Sequence, residues 1–155
     1  MNKCRYVYAY SNVTEDGEAF FRFPKFENIF SSLDEDVFKN SSEHEIADHA
    51  HDAVITALQG IILTRDEIPQ ADDPSLTKAD RFVHLRVGES MKLELYKLYL
   101  ENCSSVADFA RLLNKQETAA HRLLDLRHNS KASEIEKVIA FFGKRLVHDW
   151  SLEAA

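Results

Sequence analysis

The sequence predicts two units in series, an α+β unit with a three- or four-stranded antiparallel sheet and one helix, followed by an all-α unit. Three observations carry this. Hydrophobicity alternates with period two near the N-terminus, a Pro-containing polar stretch interrupts the chain between Asp66 and Asp80, and helical spacing takes over from Glu89. The expected boundaries are 1–80 for the first unit, 81–88 for a connecting strand, and 89–155 for the second.

Tyr6, Tyr8 and Tyr10 alternate along a first strand, Asp16-Gly17 is a hairpin turn signal, and Phe20-Phe21-Arg22-Phe23 reads as the return strand, ended by Pro24. Ile29 to Leu33 is short and apolar, which suggests a third strand. The acidic stretch Asp34 to Asn40 reads as an exposed loop. Ser41 or Ser42 can cap a helix with Glu43 and Glu45 in its first turn. Ile46, Ala50, Ala53, Val54, Ala57, Leu58 and Ile61 supply its apolar stripe. Pro69 and Pro74 mark Asp66 to Asp80 as loop or linker. Phe82, Val83, Leu85 and Val87 form a β-prone run that completes the first sheet or pairs with a second protomer.

In the second unit, Ser90 is the expected cap of a helix carrying Leu95, Leu98 and Tyr99, with three further helices after Cys103. Ser105 caps the next one with Asp108 three residues on, in capping-box spacing, and Phe109, Ala110 and Leu113 form its apolar face. Small Ala110 permits a close crossing. Asn114 falls where the chain must turn through a left-handed residue. Gln116 to Asp125 then reads as a helix with Ala120, Leu123 and Leu124 inward and Glu117, Thr118, His121 and Arg122 outward. Ser133 is the expected cap of a last helix with Ile135, Val138, Ile139 and Phe142 as core and Gly143 as stop; Leu146, Val147 and Trp150 are expected to close the core.

A helix, a short left-handed turn and a second helix with a polar outer face constitute a helix-turn-helix, here of the phage-repressor-like kind. Such a second helix enters the major groove of double-stranded DNA by its N-terminal turns. The DNA-contacting residues expected on this reading are Lys115, Gln116, Glu117, Thr118, His121, Arg122, Arg127, His128 and Lys131. Glu117 can accept from cytosine, Thr118 can touch a thymine methyl, and Arg122 can take guanine or a phosphate. Lys115, Arg127, His128 and Lys131 flank the helix and suit phosphates, which set affinity and register.

Charge divides with the units. The formal net charge is −7, yet residues 1–80 hold 16 acidic against 7 basic side chains, and residues 81–155 hold 10 against 12. An acidic half joined to a mildly basic half suggests two partners of opposite charge. No apolar run reaches the roughly 20 residues of a membrane span, nor does the N-terminus read as a signal peptide, so a cytoplasmic protein without membrane partners is expected. Cys4 and Cys103 lack metal-ligand spacing and read as two reduced thiols. The histidines and carboxylates from His44 to Asp52 do not follow HExxH spacing and read as a solvated helix face. The acids Asp34, Glu35 and Asp36 sit together on one presumed loop, and the aromatics of the first strands lack the basic companions of a base-stacking surface. Neither enzymatic activity nor a cofactor or metal is expected.

The combined pattern resembles the HicB antitoxins of HicA–HicB toxin–antitoxin systems, in the branch with a C-terminal helix-turn-helix. The likeness spans almost the whole chain. It is closest from Ile68-Pro69 through Leu146, including the strand Phe82 to Val87, Arg122-Leu123 and the segment Leu126-Arg-His-Asn-Ser-Lys-Ala132; further upstream it rests on Asp16-Gly17, Phe23-Pro24 and the helix near Ala47 to Leu58. The resemblance implies a partial ribonuclease-H-like N-terminal fold without nuclease activity, which covers the active site of a small basic mRNA-cleaving toxin, HicA. It also implies a C-terminal unit that represses its own operon by binding operator DNA as a homo-oligomer, a dimer or tetramer. The alternative reading is a DNA-binding transcriptional regulator whose N-terminal unit oligomerises or senses, with no toxin partner.

Overall fold

The computed structural model describes residues 6–147 and residue 152, which form two compact units dividing between Leu85 and Arg86. Cys4 and Trp150 lie outside the described residues.

The first unit is a four-stranded antiparallel sheet with two helices. Strands β1 (Val7–Glu15), β2 (Glu18–Arg22), β3 (Ser32–Asp34) and β4 (Arg81–His84) lie in the order β3-β2-β1-β4. Glu15 pairs with Glu18, so Asp16-Gly17 is a two-residue hairpin loop, and both residues take positive φ, 51° and 80°. Asp and Gly tolerate that conformation, whose twist matches the flanking strands. Tyr8, Tyr10 and Phe21 are buried with their rings in mutual contact range of Phe23, Phe26, Phe38 and His49. Phe20, one residue out of phase, meets Phe30 instead, and Arg22 lies over its ring.

Two sequence expectations fail here. The third strand is only Ser32–Asp34, since Ile29 and Phe30 precede the pairing and Phe30 is exposed. Asp34 to Asn40, read as a loop, is largely helix α1 (Glu35–Asn40). The Asp34 carboxylate accepts from the Asp36 N–H, the acids Glu35 and Asp36 occupy the favourable first turn, and Lys39 pairs with Glu35 in the last. Acidic residues thus cap a helix where composition alone suggested an exposed connection.

Ser42, one of the two anticipated caps, starts α2 (Glu43–Thr64) with a complete capping box: the Glu45 N–H donates to Ser42 Oγ, and the Ser42 N–H donates to the Glu45 carboxylate. This reciprocal bond holds the Glu45 carboxyl below its ordinary pKa. The buried stripe is Ile46, Ala50, Val54, Ile55, Leu58 and Ile62. It includes Ile55 and Ile62 and leaves Ala53, Ala57 and Ile61 half-buried, a rotation of the expected face by about one residue.

The Pro-containing segment is fastened to the sheet. Tyr8 Oη donates to the Pro69 carbonyl at 2.7 Å, the Asp72 N–H donates to the Val7 carbonyl at 2.8 Å, and the Ala9 N–H donates to the Asp72 carboxylate at 2.8 Å. It takes over the edge of β1 where β2 has ended. Polar Pro-rich composition signals irregular backbone, which this is, but says nothing of what that backbone bonds to. The run from Phe82 pairs with β1 of its own chain, Val7 opposite His84 and Tyr10 opposite Arg81.

Burial, with the Asp72 carboxylate adding to it, pushes the Tyr8 phenol well above its ordinary value of 10.0. The fold therefore favours the neutral phenol. Because the unfolded chain ionises first, this contribution is complete below pH 10 and is lost as pH rises above it, by up to about 1.4 kcal/mol per pH unit. Alkaline unfolding of Tyr8→Phe, followed by circular dichroism, is expected to steepen less above pH 10 than that of the wild type. Parallel curves would contradict this placement of Tyr8.

The second unit contains helices α3 (Val87–Asn102), α4 (Val106–Leu112), α5 (Glu117–Leu124) and α6 (Ala132–Phe141). Ser90 is not the cap of α3. The cap is Arg86, whose N–H donates to the Glu89 carboxylate at 2.8 Å, and Ser90 is buried one turn in. A glutamate at the third helical position can serve the cap backbone whatever side chain the cap residue carries, which hid the true start. Ser133 likewise falls inside α6, whose cap is Lys131 with no capping side-chain bond. Phe109 is fully buried, with its ring centroid 5.3 Å from Tyr99 and 6.4 Å from Phe142. Ile135, Val138 and Ile139 complete the core, and Gly143, with φ 72°, ends the last helix. Leu146 is only half-buried and Val147 is exposed, so neither closes the core as expected. Cys103 is buried at the end of α3.

Candidate nucleic-acid interface

The α4–α5 pair is set by local bonds that the sequence supplies. Ser105 Oγ accepts from the Asp108 N–H at 3.1 Å, starting α4. In return the Ser104 N–H donates to the Asp108 carboxylate at 2.9 Å, so the anticipated capping box is displaced by one residue. At the other end, Asn114 takes φ 52°. Its N–H donates to the Arg111 carbonyl and that of Lys115 to the Ala110 carbonyl, which satisfies carbonyls that the helix leaves unpaired and reverses the chain within three residues. Leu113 is the half-buried last residue of that turn and not part of the inner face.

Helix α5 then presents two different surfaces. Ala120, Leu123 and Leu124 are buried, with Ala120 fully so. Glu117, Thr118, His121 and Arg122 are exposed, as are Lys115, Gln116, Arg127, His128 and Lys131 around the two ends of the helix. All nine side chains singled out in the sequence therefore face solvent from one continuous stretch of the second unit. His121 lies 3.7 Å from the Glu117 carboxylate one turn back. Past the helix, the Arg127 N–H donates to the Asp125 carboxylate at 2.9 Å and the His128 ring meets Ser130 Oγ at 3.2 Å, which fixes the backbone on which Arg127 and His128 stand.

One residue that shapes this surface was not singled out in the sequence. Lys92 on α3 is 2% exposed. Its ammonium donates to the carbonyls of Arg122, Asp125 and His128 at 2.8, 2.6 and 2.6 Å. Burial pushes its pKa down to about 8, while the carboxylates of Asp125 and Glu134 act in the opposite sense. The signal was present in its phase: Lys92 lies on the same helical stripe as Leu95, Tyr96 and Tyr99, so a charge stood where the pattern called for an apolar side chain.

Other clusters do not assemble a site. His44 and Asp48 are 3.4 Å apart on an exposed face of α2, whereas His49 turns to Ser31 Oγ at 2.9 Å. Among the described residues no group of three or more His, Cys, Asp or Glu side chains is placed to hold a metal ion. No helix among them is long and apolar enough to cross a membrane.

The helical unit thus turns one polar helix face, Glu117, Thr118, His121 and Arg122, to solvent with the bases Lys115, Arg127 and Lys131 beside it, and it follows an acidic α+β unit. The chain is 33% identical over 111 residues to Antitoxin HicB of Pseudomonas fluorescens, covering 72% of this chain and 74% of that protein. It is 30% identical over 118 residues to Antitoxin HicB 2 of Photorhabdus laumondii, covering 76% of this chain and 82% of that one. No protein-family model matches the chain. The chain belongs to the HicB antitoxin family.

Proposed function

We propose that this chain is an antitoxin that works by binding twice. Its C-terminal unit reads operator DNA through a helix-turn-helix formed by α4 and α5, repressing its own operon, and its acidic N-terminal unit neutralises a small basic, mRNA-cleaving HicA-like toxin by covering it. The observation that carries the DNA reading is the division of α5: Ala120, Leu123 and Leu124 are consumed by the core, while Glu117, Thr118, His121 and Arg122 remain exposed between the flanking bases Lys115, Arg127 and Lys131. In this reading the N-terminal turns of α5 enter the major groove, where Gln116, Glu117 and Thr118 meet base edges. Arg122 takes guanine or a phosphate, and Lys115, Arg127, His128 and Lys131 take phosphates. A two-fold homo-oligomer matches a palindromic operator.

The toxin half rests on the family and on charge. The 16 acidic side chains of residues 1–80, including Asp34, Glu35, Asp36, Glu43 and Glu45 around α1 and the start of α2, complement a basic partner. In this reading the four-stranded antiparallel sheet with its helices takes the part of the ribonuclease-H-like frame that the family resemblance implies.

A gel-shift titration with DNA from immediately upstream of the gene tests the DNA half. The double variant Thr118→Ala, Arg122→Ala is expected to weaken specific binding by at least about tenfold, since each good base contact discriminates by about 1–3 kcal/mol. Unchanged binding with unchanged salt dependence would show that α5 is not the reading helix. Co-expression with a small basic protein encoded beside this gene is expected to yield a complex that purifies together, and growth arrest by that protein is expected to cease. Separate elution of the two would contradict the antitoxin half.

A further inference from the structure

The ammonium of Lys92 has three N–H donors, and all three find carbonyls of one short stretch, at Arg122, Asp125 and His128. The Arg122 carbonyl belongs to the last turn of α5, where no intrahelical N–H is left to serve it; Asp125 is the residue that ends the helix; His128 lies beyond the turn. The Arg122 and Asp125 carbonyls lie at the negative end of the α5 dipole, where a buried cation supplied by another helix meets them. The turn has bonds of its own, since the Arg127 N–H donates to the Asp125 carboxylate, the His128 N–H to the Asp125 carbonyl and the Ser130 N–H to the His128 carbonyl, and Lys92 is the donor that ties this turn to the end of α5 and both to α3. Arg122, Arg127 and His128, whose backbones this clamp holds or adjoins, are three of the side chains that face solvent around α5.

We propose that Lys92 is a positioning residue for DNA recognition: from inside the helical unit it fixes the end of α5 and the following turn as one rigid body, so that Arg122, Arg127 and His128 reach the duplex in a single register with the helix N-terminus. This rests on the DNA-binding reading above. Lys92 itself touches no DNA. Burying an ammonium is costly unless every donor is used, and here it replaces what an apolar side chain could do for packing with something an apolar side chain cannot do, a three-point attachment to backbone. Flexible lysine and arginine side chains find phosphates from many backbone positions, whereas base contacts require placement within a fraction of an ångström. The phosphate contacts of Arg127 and His128 set the register in which Arg122 and the N-terminal turns of α5 meet base edges, so loss of the clamp loosens that register and falls on specificity more than on general affinity.

The test compares wild type, Lys92→Met, Lys92→Gln and Lys92→Arg by titration against the upstream duplex and a shuffled duplex of equal length, with circular dichroism to establish that each is folded at the assay temperature. Lys92→Gln, whose amide keeps two N–H donors on a stem one atom shorter, guards against outright unfolding of the methionine variant. The expected result is that the ratio of specific to shuffled affinity falls at least about tenfold in the methionine or glutamine variant, that shuffled binding changes less than about twofold, and that Lys92→Arg recovers part of the ratio. Folded variants that keep the wild-type ratio overturn the role of Lys92. A wild type that does not prefer its upstream duplex overturns the DNA reading instead, and the two failures are thus distinguished. Equal loss on both duplexes would mark Lys92 as a fold residue only and also overturns the proposal.

Discussion

Replacing Phe109 with alanine is expected to destabilise the helical unit by about 3–5 kcal/mol, the range for truncating a fully buried phenylalanine. Phe109 is 0% exposed, and its ring on α4 meets Tyr99 of α3 and Phe142 just past α6, so it packs against two other helical elements of the core. The cavity cannot close easily. Tyr99 and Phe142 are themselves large, and each is held by a further ring, Tyr96 and Phe141 respectively. For a unit of this size the loss corresponds to a fall in melting temperature of roughly 12 °C or more, measurable by calorimetry, with Phe109→Leu falling less because most of the volume is kept. A shift of about 4 °C or less in the alanine variant would mean that the ring does not organise this core.

The second large effect is expected at Asn114, on binding rather than on melting. Its φ of 52° lies in the left-handed region, where a β-branched side chain costs about 1–2 kcal/mol and where asparagine and glycine are at home. Asn114→Val is expected to shift the chain out of that conformation. The hydrogen bonds from Asn114 to Arg111 and from Lys115 to Ala110 would then be lost, and α5 would no longer stand at its angle to α4. Binding to the upstream duplex should fall by about tenfold or more, the equivalent of about 1.4 kcal/mol. Asn114→Gly removes the steric objection and costs only chain entropy, so it should bind within about threefold of the wild type. The paired titration separates the backbone requirement from any role of the asparagine amide: if both variants lost binding equally, the side chain and not the turn would be responsible.

These residues also show which parts of the fold were legible in the sequence. Local chemistry with one physical solution was readable: Asp16-Gly17 for a hairpin with two positive φ angles, Ser42 with Glu45 for a helix start, Asn114 for a left-handed turn, Gly143 for a stop. The inner and outer faces of α5 were readable because eight residues with Ala120, Leu123 and Leu124 on one side admit only one orientation toward a core. What failed did so where a nearby residue outcompeted the obvious one. Ser90 and Ser133 have good capping side chains, but Glu89 serves the Arg86 backbone one turn earlier and α6 begins at Ala132 without a side-chain cap. Asp34 to Asn40 has loop composition and is helical because its first acid is also a cap.

Long-range bonds were invisible for a different reason. Nothing adjacent to Lys92 in the sequence indicates that carbonyls 30 to 36 residues away need a donor, and nothing near Tyr8 or Ala9 points to Pro69 and Asp72. Periodicity reports that a charged residue occupies a core phase, but only the packed structure names what it serves. The exposure of Glu117, Thr118, His121 and Arg122 was legible because polar residues at helical spacing are a local pattern. The device that holds that surface was not.

The most direct test of the account is a titration of the full chain against the duplex immediately upstream of its gene and against a shuffled duplex of the same length and composition, over a range of salt concentrations. The account predicts a preference for the upstream duplex of at least about a thousandfold, with affinity falling linearly in log salt as phosphate contacts by the basic residues around α5 release counterions. Equal affinity for the two duplexes, or binding that does not respond to salt, would contradict it.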